Sequence, residues 1–267
     1  MYLKSVVFSV LVILVNPSYG QTGSQLNQTD PKGLKQGHWI KKNSSGHVIY
    51  DGYFKDNEPI GVMKRYFDND SLQTIMNYRP DHKTVDVEIY HPNGFPASKG
   101  TYVNKLKEGK WQFYSEYEKG YLICEESYTH NKKNGLSVKY YKDSTPAEKI
   151  NYTDDTRNGS WIQYFENGQV CLSGNYVNGI LDGNFTCYYE DGKPDVKGQY
   201  KENVRDGEWK KYNPDGTVRK RMTYRSGELT NADAYKEETD FLDKMEKNKG
   251  LIPDPEKTGT LWNNLPV

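Results

Sequence analysis

The sequence predicts an all-β fold: a single-layer antiparallel β-hairpin repeat sheet of about eight hairpins, followed by a C-terminal helix. Three observations carry this. GSWIQYFENGQVCLSGNYVNGILD, starting at Gly159, is followed 24 residues later by GNFTCYYEDGKPDVKGQYKENVRD, starting at Gly183. Gly159, Gly168, Gly174 and Tyr176 thus recur as Gly183, Gly192, Gly198 and Tyr200, and Trp161 becomes Phe185. Self-similarity at a fixed period marks an array whose units bury their core only by stacking on one another. Second, the frame runs over most of the chain. Gly37, Gly61, Gly109, Gly135, Gly159, Gly183 and Gly207 open units, and Val85 stands where one more glycine belongs. Third, Asn93-Gly94, Asn167-Gly168, Asp191-Gly192 and Asp215-Gly216 sit between apolar-rich runs. Asn-Gly there is a strong hairpin signal, because a type I′ turn needs positive φ at both central residues.

Composition agrees with a thin sheet. The 267 residues have a mean hydropathy of −0.95, so aliphatic side chains are too few for a thick core. Aromatics make up 13%, mostly through 23 Tyr, which argues against disorder. Lys+Arg and Asp+Glu both number 36, and a neutral chain lacks the basic face a nucleic-acid binder needs.

Taken in order, residues 1–20 read as a signal peptide. Lys4 precedes the apolar run Val6 to Val15, Asn16-Pro17 breaks it, and Ser18-Tyr19-Gly20 fits a signal peptidase site before Gln21. The run is shorter than the roughly 20 residues of a membrane span, so no span is expected after cleavage. The mature chain is expected to be exported, to the periplasm or the exterior in a bacterium. Residues 21–34 read as a flexible lead-in, and residues 35–229 as the repeat domain.

Each unit follows one plan. In the clearest, a strand from Trp161 to Phe165 meets the turn Glu166-Asn167-Gly168, a second strand runs from Gln169 to Tyr176, and a looser polar turn leads onward. A two-residue turn pairs Phe165 with Val170, Tyr164 with Cys171 and Trp161 with Gly174. The bare backbone of Gly174 then leaves room for the indole of its own hairpin. Trp111 opposite Glu126 and Trp209 opposite Met222 lack that glycine, and these two hairpins are expected to pack less tidily. Alternation puts Trp161, Phe165, Val170 and Tyr176 on one face and Ile162, Tyr164, Cys171 and Ser173 on the other. Lys41, Arg65, Lys139 and Lys211 recur at one site of the first face, so it is not uniformly dry.

Units two, three and five depart from the plan at Asp70, Pro80 and Ser144-Thr145-Pro146, and irregular strands are expected there. A two-residue insertion falls near Glu116 to Lys119. Cys124, Cys171 and Cys187 read as small buried side chains on strands; their odd number leaves at least one unpaired within the chain. Residues 230–267 hold a glycine-free stretch from Ala232 to Lys249 with helical spacing of Tyr235, Leu242 and Met245, then an extended tail.

On these residues the chain resembles the MORN-repeat family, in its bacterial variant with the unit G-x-W-x-x-Y-Y-x-[ND]-G-x-x-x-x-x-G-x-Y. The match runs from about Gly37 to Leu229 and is strong from Gly159 to Tyr224. The resemblance implies a β-hairpin solenoid used for binding or scaffolding. It also implies two activities that fit less well: an antitoxin-type role, against an exported chain, and phosphoinositide binding, against neutral charge.

Catalytic motifs are lacking. The five histidines are scattered, and no zinc, nucleophile-elbow, Walker or C-x-x-C pattern occurs. Asp154-Asp155-Thr156-Arg157-Asn158-Gly159 resembles the start of a calcium loop, but Phe165 stands where the bidentate Glu belongs. The chain reads as a non-enzyme with no cofactor and no metal. What remains is a row of tyrosines five residues after each unit start: Tyr66, Tyr90, Tyr114, Tyr140, Tyr164, Tyr188 and Tyr212. Cross-strand packing explains the row, since Tyr favours strands. So does a binding face, since Tyr offers broad amphipathic contact with few rotamers to freeze. Three functions follow: a binding or scaffolding module for an unknown protein or glycan of the cell envelope, a purely structural spacer, or a glycan-active enzyme with a converging acid pair.

Overall fold

The computed structural model describes residues 25–231, and every regular element among them is a β-strand. The expected signal segment and C-terminal helix lie outside these residues. Nineteen strands form one antiparallel sheet in which sequence neighbours pair; three of them, Gln28–Thr29, Ile180–Leu181 and Glu228–Leu229, are two-residue pieces. The first four hairpins are Lys35–Lys42 with Val48–Lys55, Glu58–Tyr66 with Leu72–Tyr78, Thr84–Tyr90 with Pro96–Val103, and Leu106–Tyr114 with Leu122–Thr129. The next are Lys132–Tyr140 with Pro146–Thr153, Thr156–Tyr164 with Val170–Val177, Gly183–Tyr188 with Pro194–Lys201, and Val204–Tyr212 with Val218–Arg225.

The two rims use different turns, and the assignment reverses the expectation. At Asn167-Gly168 only Gly168 has positive φ, +81°. Gly168 N–H donates to Phe165 O at 2.9 Å, and Phe165 N–H donates to Gln169 O at 2.8 Å. That is a type I turn closed by a left-handed residue, the three-residue hairpin loop. Asparagine serves it through its side chain: Asn167 Oδ1 accepts the N–H of Gln169 at 2.9 Å. Asp191 does the same for Lys193, and Asp215 for Thr217. The two-residue turns with both φ positive lie at the opposite rim, where looser connections were expected. Asn178-Gly179, Glu202-Asn203 and Asp154-Asp155 are of this kind. They suit right-twisted strands and make these connections tight.

The glycine that opens each unit sits inside a strand. Gly159 pairs with Tyr176 at φ +103°, beside a register shift between Ile150 and Tyr152 on the preceding strand. A bulge with that φ admits glycine best. Val85 tests the rule: with no glycine there, strands Leu72–Tyr78 and Thr84–Tyr90 pair without any shift. The units expected to be irregular keep the common turn, because Asp70 (φ +61°) and Ser144 (φ +71°) take the left-handed position themselves. The insertion near Glu116 is accommodated in a wider loop capped by Ser115 Oγ, which accepts the N–H groups of Tyr117 and Glu118.

Trp161 pairs with Gly174 as expected, but the register nearer the turn differs. Tyr164 pairs with Val170, not with Cys171, after a shift between Gln163 and Tyr164. Cys171 therefore packs against the Trp161 core instead of joining the tyrosine face. Cys171 keeps a free thiol, which burial pushes up to about 11.

The hairpins of Trp111 and Trp209 pack tightly, contrary to expectation. Both indoles are 0% exposed. Each lies over a glycine of the preceding hairpin: a Cβ on Gly100 would fall 2.3 Å from Trp111, and one on Gly198 would fall 2.1 Å from Trp209. At these two sites the second glycine of a unit receives the next unit's indole, which couples neighbours along the array. Aromatic rings continue the row, with Trp209 at 5.2 Å from Tyr200 and 5.8 Å from Phe185. Cations close its rim side. Arg205 sits 4.5 Å from the Trp209 ring centre and Lys107 4.7 Å from that of Tyr128. Such contacts contribute about 0.5–2 kcal/mol each. Of the recurrent cations expected on this face, Lys139 pairs with Glu148 at 3.0 Å. Burial pushes the Glu148 carboxyl up, but Lys139 and hydrogen bonds from Trp161 and Gln163 outweigh it and hold it below the usual range.

The lead-in has a task at the first edge. Asn27 N–H donates to His38 O and its Oδ1 accepts Ile40 N–H, both at 2.9 Å. At the far edge Asn231 Oδ1 accepts Thr223 N–H and its Nδ2 donates to Arg221 O, again at 2.9 Å. One asparagine at each end occupies the unpaired ladder groups that would otherwise invite another strand.

Candidate binding face

All seven frame tyrosines end the first strand of their hairpin, directly after a register shift, and all are half-buried. The shift places each beside the turn. Strands lie about 4.8 Å apart, so successive members of the row are roughly 9–10 Å apart, two strands on. Four of their hydroxyls are held by neighbouring side chains. Tyr90 donates to Glu88 at 2.7 Å, Tyr114 to Gln112 at 3.1 Å and Tyr140 to Glu125 at 3.1 Å. Tyr188 meets Ser173 Oγ at 3.3 Å, and Lys149 Nζ lies 5.3 Å from the Tyr164 ring centre. The rings of Tyr90, Tyr114, Tyr140 and Tyr188 are therefore drawn inward over the sheet.

The partners form a second row that the sequence did not disclose. Cross-strand pairing links Glu88 to Lys99, Lys99 to Gln112 and Gln112 to Glu125. The position two residues before each frame tyrosine is occupied by Lys64, Glu88, Gln112, Val138, Ile162, Thr186 and Lys210. The period conserves the place and not the residue type, so recurrence gave no signal. Between strands Leu72–Tyr78 and Leu122–Thr129 this face encloses a shallow groove of about 430 Å³, lined in part by Ile75, Asp86, Glu88, Lys99, Gln112 and Glu125. It lies where Val85 removes the bulge and the strands run straight.

Electrostatics in the groove are set by fixed partners. Two hydrogen bonds from Arg79, at 2.8 and 2.9 Å, hold the Asp86 carboxyl below the usual range, and Thr101 adds a third at 2.8 Å. Burial pushes Glu125 up, but bonds from Gln112, Lys110 and Tyr140 prevail and keep it low. Tyr90 and Tyr140 are pushed up to about 12 by burial, then by their bonds to Glu88 and Glu125. The raised values favour the neutral phenol in the folded state. Their contribution to stability is complete below the ordinary value near 10 and is lost as pH rises through about 12. An ultraviolet titration is expected to show a fraction of the tyrosines ionising near pH 12, moving down in Glu88→Gln. Ionisation of every tyrosine near pH 10 in the folded protein would remove these bonds from the account.

The calcium-like stretch resolves as turn chemistry. Asp154-Asp155 forms a tight turn, and Asp155 Oδ1 accepts Lys133 N–H at 2.7 Å. Among the described residues no group of three or more His, Cys, Asp or Glu is placed to hold a metal.

This geometry, a twenty-odd-residue hairpin repeated edge to edge, defines a repeat sheet whose units contact their neighbours alone. Residues 157–178, 181–202 and 205–226 match the family described as MORN repeat variant. This part of the chain thus consists of MORN repeats, and such repeats are in general non-catalytic binding or scaffold modules. No curated protein matches the chain. Among solved structures it is similar to a chain of "Crystal Structure of TcdB2-TccC3" at 14% identity and a TM-score of 0.20, covering 76% of this chain and 13% of that one. A chain of "Crystal Structure of TcdB2-TccC3-Cdc42" gives 14% and 0.19, covering 76% and 12%. The chain thus spans about an eighth of those proteins, and with so low a score the likeness carries no argument.

Proposed function

We propose that this chain is an exported, non-catalytic module of the cell envelope whose tyrosine face binds a protein or glycan partner. The observation that carries it is the asymmetry of the sheet. One face is closed by fully buried indoles, aromatic rings and cations. The other carries half-buried tyrosines and a polar row, pre-oriented by mutual hydrogen bonds and spread over an extended surface. Rigid amphipathic rings of this kind lose little entropy on contact. A glycan-cleaving role is less well supported. It needs a general acid with a raised pKa, and both Asp86 and Glu125 are held low.

Binding of wild type and of Tyr164→Ser, Tyr188→Ser to a partner captured from envelope extract tests the face. The double variant is expected to bind at least about tenfold more weakly, since an interface tyrosine contributes more than about 1 kcal/mol. Unchanged affinity in a folded variant returns the row to cross-strand packing. Export is tested separately: the N-terminus of the native protein is expected at Gln21, and retention of Met1 in a cytosolic fraction would defeat it.

A further inference from the structure

We propose that the groove on the tyrosine face is an oligosaccharide site, fitted to an uncharged chain of equatorially linked pyranoses. This rests on the reading that the tyrosine face is the one that binds, and it adds a second ligand, held in the groove and apart from the partner of the Tyr164–Tyr188 stretch. Four arguments support it.

The first is chemical. Each of three tyrosines at the groove's margin donates to a groove residue: Tyr90 to Glu88, Tyr114 to Gln112 and Tyr140 to Glu125. Aromatic rings thus border carboxylate and amide groups of the groove through their hydroxyls. A pyranose needs both, because its C–H face stacks on a ring while its equatorial hydroxyls seek acceptors and donors in the perpendicular direction.

The second is pre-organisation. Asp86 is fixed by Arg79 and Thr101, and Glu125 by Lys110, Gln112 and Tyr140, so these groups have little freedom left to lose on binding. Two groups retain capacity. Glu88 accepts a bond from Tyr90 and, as an ionised carboxylate, has further lone pairs. Among the described residues the exposed Lys99 ammonium has no ion-pair partner. It is the donor available for a hydroxyl.

The third is exclusion. An apolar small molecule needs an enclosed cavity free of charge, and this groove is open and has Asp86, Glu88, Lys99, Lys110 and Glu125 along its lining. An extended peptide that adds a strand needs a sheet edge, and the groove lies on a face whose backbone is already paired. Charge gives acidic glycans no surplus cation, because Asp86 is paired with Arg79 and Glu125 with Lys110, which leaves Glu88 against Lys99.

The fourth is dimension. From strand Leu72–Tyr78 to strand Leu122–Thr129 is four strand spacings, roughly 19 Å, and the tyrosines recur about every 9–10 Å. The latter is close to the advance of one disaccharide in an extended equatorially linked chain.

Titration calorimetry of the folded protein with cellohexaose and with chitohexaose tests the proposal, with oligogalacturonate as the acidic control. Binding of at least one uncharged hexasaccharide is expected. It should weaken at least tenfold in Lys99→Met and in Gln112→Ala at unchanged melting temperature, and survive in Tyr164→Ser, Tyr188→Ser, which lies outside the groove. No heat with either hexasaccharide, or preference for oligogalacturonate, overturns the site. Loss in the Tyr164/Tyr188 variant with the groove variants silent also overturns it, while leaving a binding face in place. Weakened binding in Lys99→Met alongside an intact Tyr164/Tyr188 variant separates the groove from the wider row.

Discussion

Gly198→Ala is expected to cost about 3 kcal/mol, the upper end of the range for overpacking a core. The added Cβ would stand 2.1 Å from Cδ2 of Trp209 and 2.3 Å from Cε2. The indole has nowhere to go. It is 0% exposed, held between Tyr200, Phe185 and Tyr224, with Arg205 over its ring. Gly174→Ala offers the graded control, because its Cβ would meet Trp161 at a tolerable 3.2 Å. Trp209→Ala by itself should cost about 3–5 kcal/mol as the core loses a buried aromatic. The clash makes a sharper forecast. In a Trp209→Ala background, Gly198→Ala should cost almost nothing more, since the atoms it would strike are gone. Urea unfolding of the four proteins measures this cycle. Equal cost of Gly198→Ala in both backgrounds would show that the glycine serves its own strand and not the next unit's indole.

Glu126→Ala should cost about 3–5 kcal/mol, the range for stranding one member of a buried ion pair. Glu126 is 3% exposed on the indole face, opposite Trp111. It accepts from Lys133 Nζ at 2.8 Å and from the Tyr128 hydroxyl at 2.5 Å. The Lys133 side chain is itself only 15% exposed, so its ammonium would lose its carboxylate partner where water reaches poorly. Replacing both members, Glu126→Leu with Lys133→Met, should return stability to near wild type, because desolvating the pair consumes most of its attraction. Glu126→Ala within about 1 kcal/mol of wild type would mean that water or backbone takes over the ammonium.

Much of the fold was legible because the period is a physical requirement. A hairpin that cannot bury its own core must present the same aromatic frame to each neighbour, so Trp161, Tyr176 and their counterparts recur and disclose the array. The Trp161–Gly174 register followed from counting residues through a turn. Turn type did not follow, because Asn-Gly suits two geometries: positive φ at both residues, or a side-chain acceptor followed by one left-handed residue. Asn167 takes the second part. Nor did the partner of the second glycine follow, since strand pairing within a hairpin says nothing about which neighbour's indole leans across it. Trp111 and Trp209 lack a glycine opposite and find one in the preceding hairpin, at Gly100 and Gly198. The tyrosine row was visible by recurrence. The polar row beneath it was not, because Glu88, Lys99, Gln112 and Glu125 share a register and no residue type.

What the sequence by itself determined is therefore everything that repeats: the strand order, the aromatic frame, the division into an indole face and a tyrosine face. What only the tertiary structure decided is everything that depends on one unit meeting the next. It turned Gly100 and Gly198 into seats for a neighbour's ring, buried Glu126 against Lys133, and drew Tyr90, Tyr114 and Tyr140 down onto a groove. The physical reason is range. Pairing within a hairpin is set by residues in one short stretch, whereas a side chain's lean across the sheet is set by whichever space, charge or ring the adjoining strand leaves open.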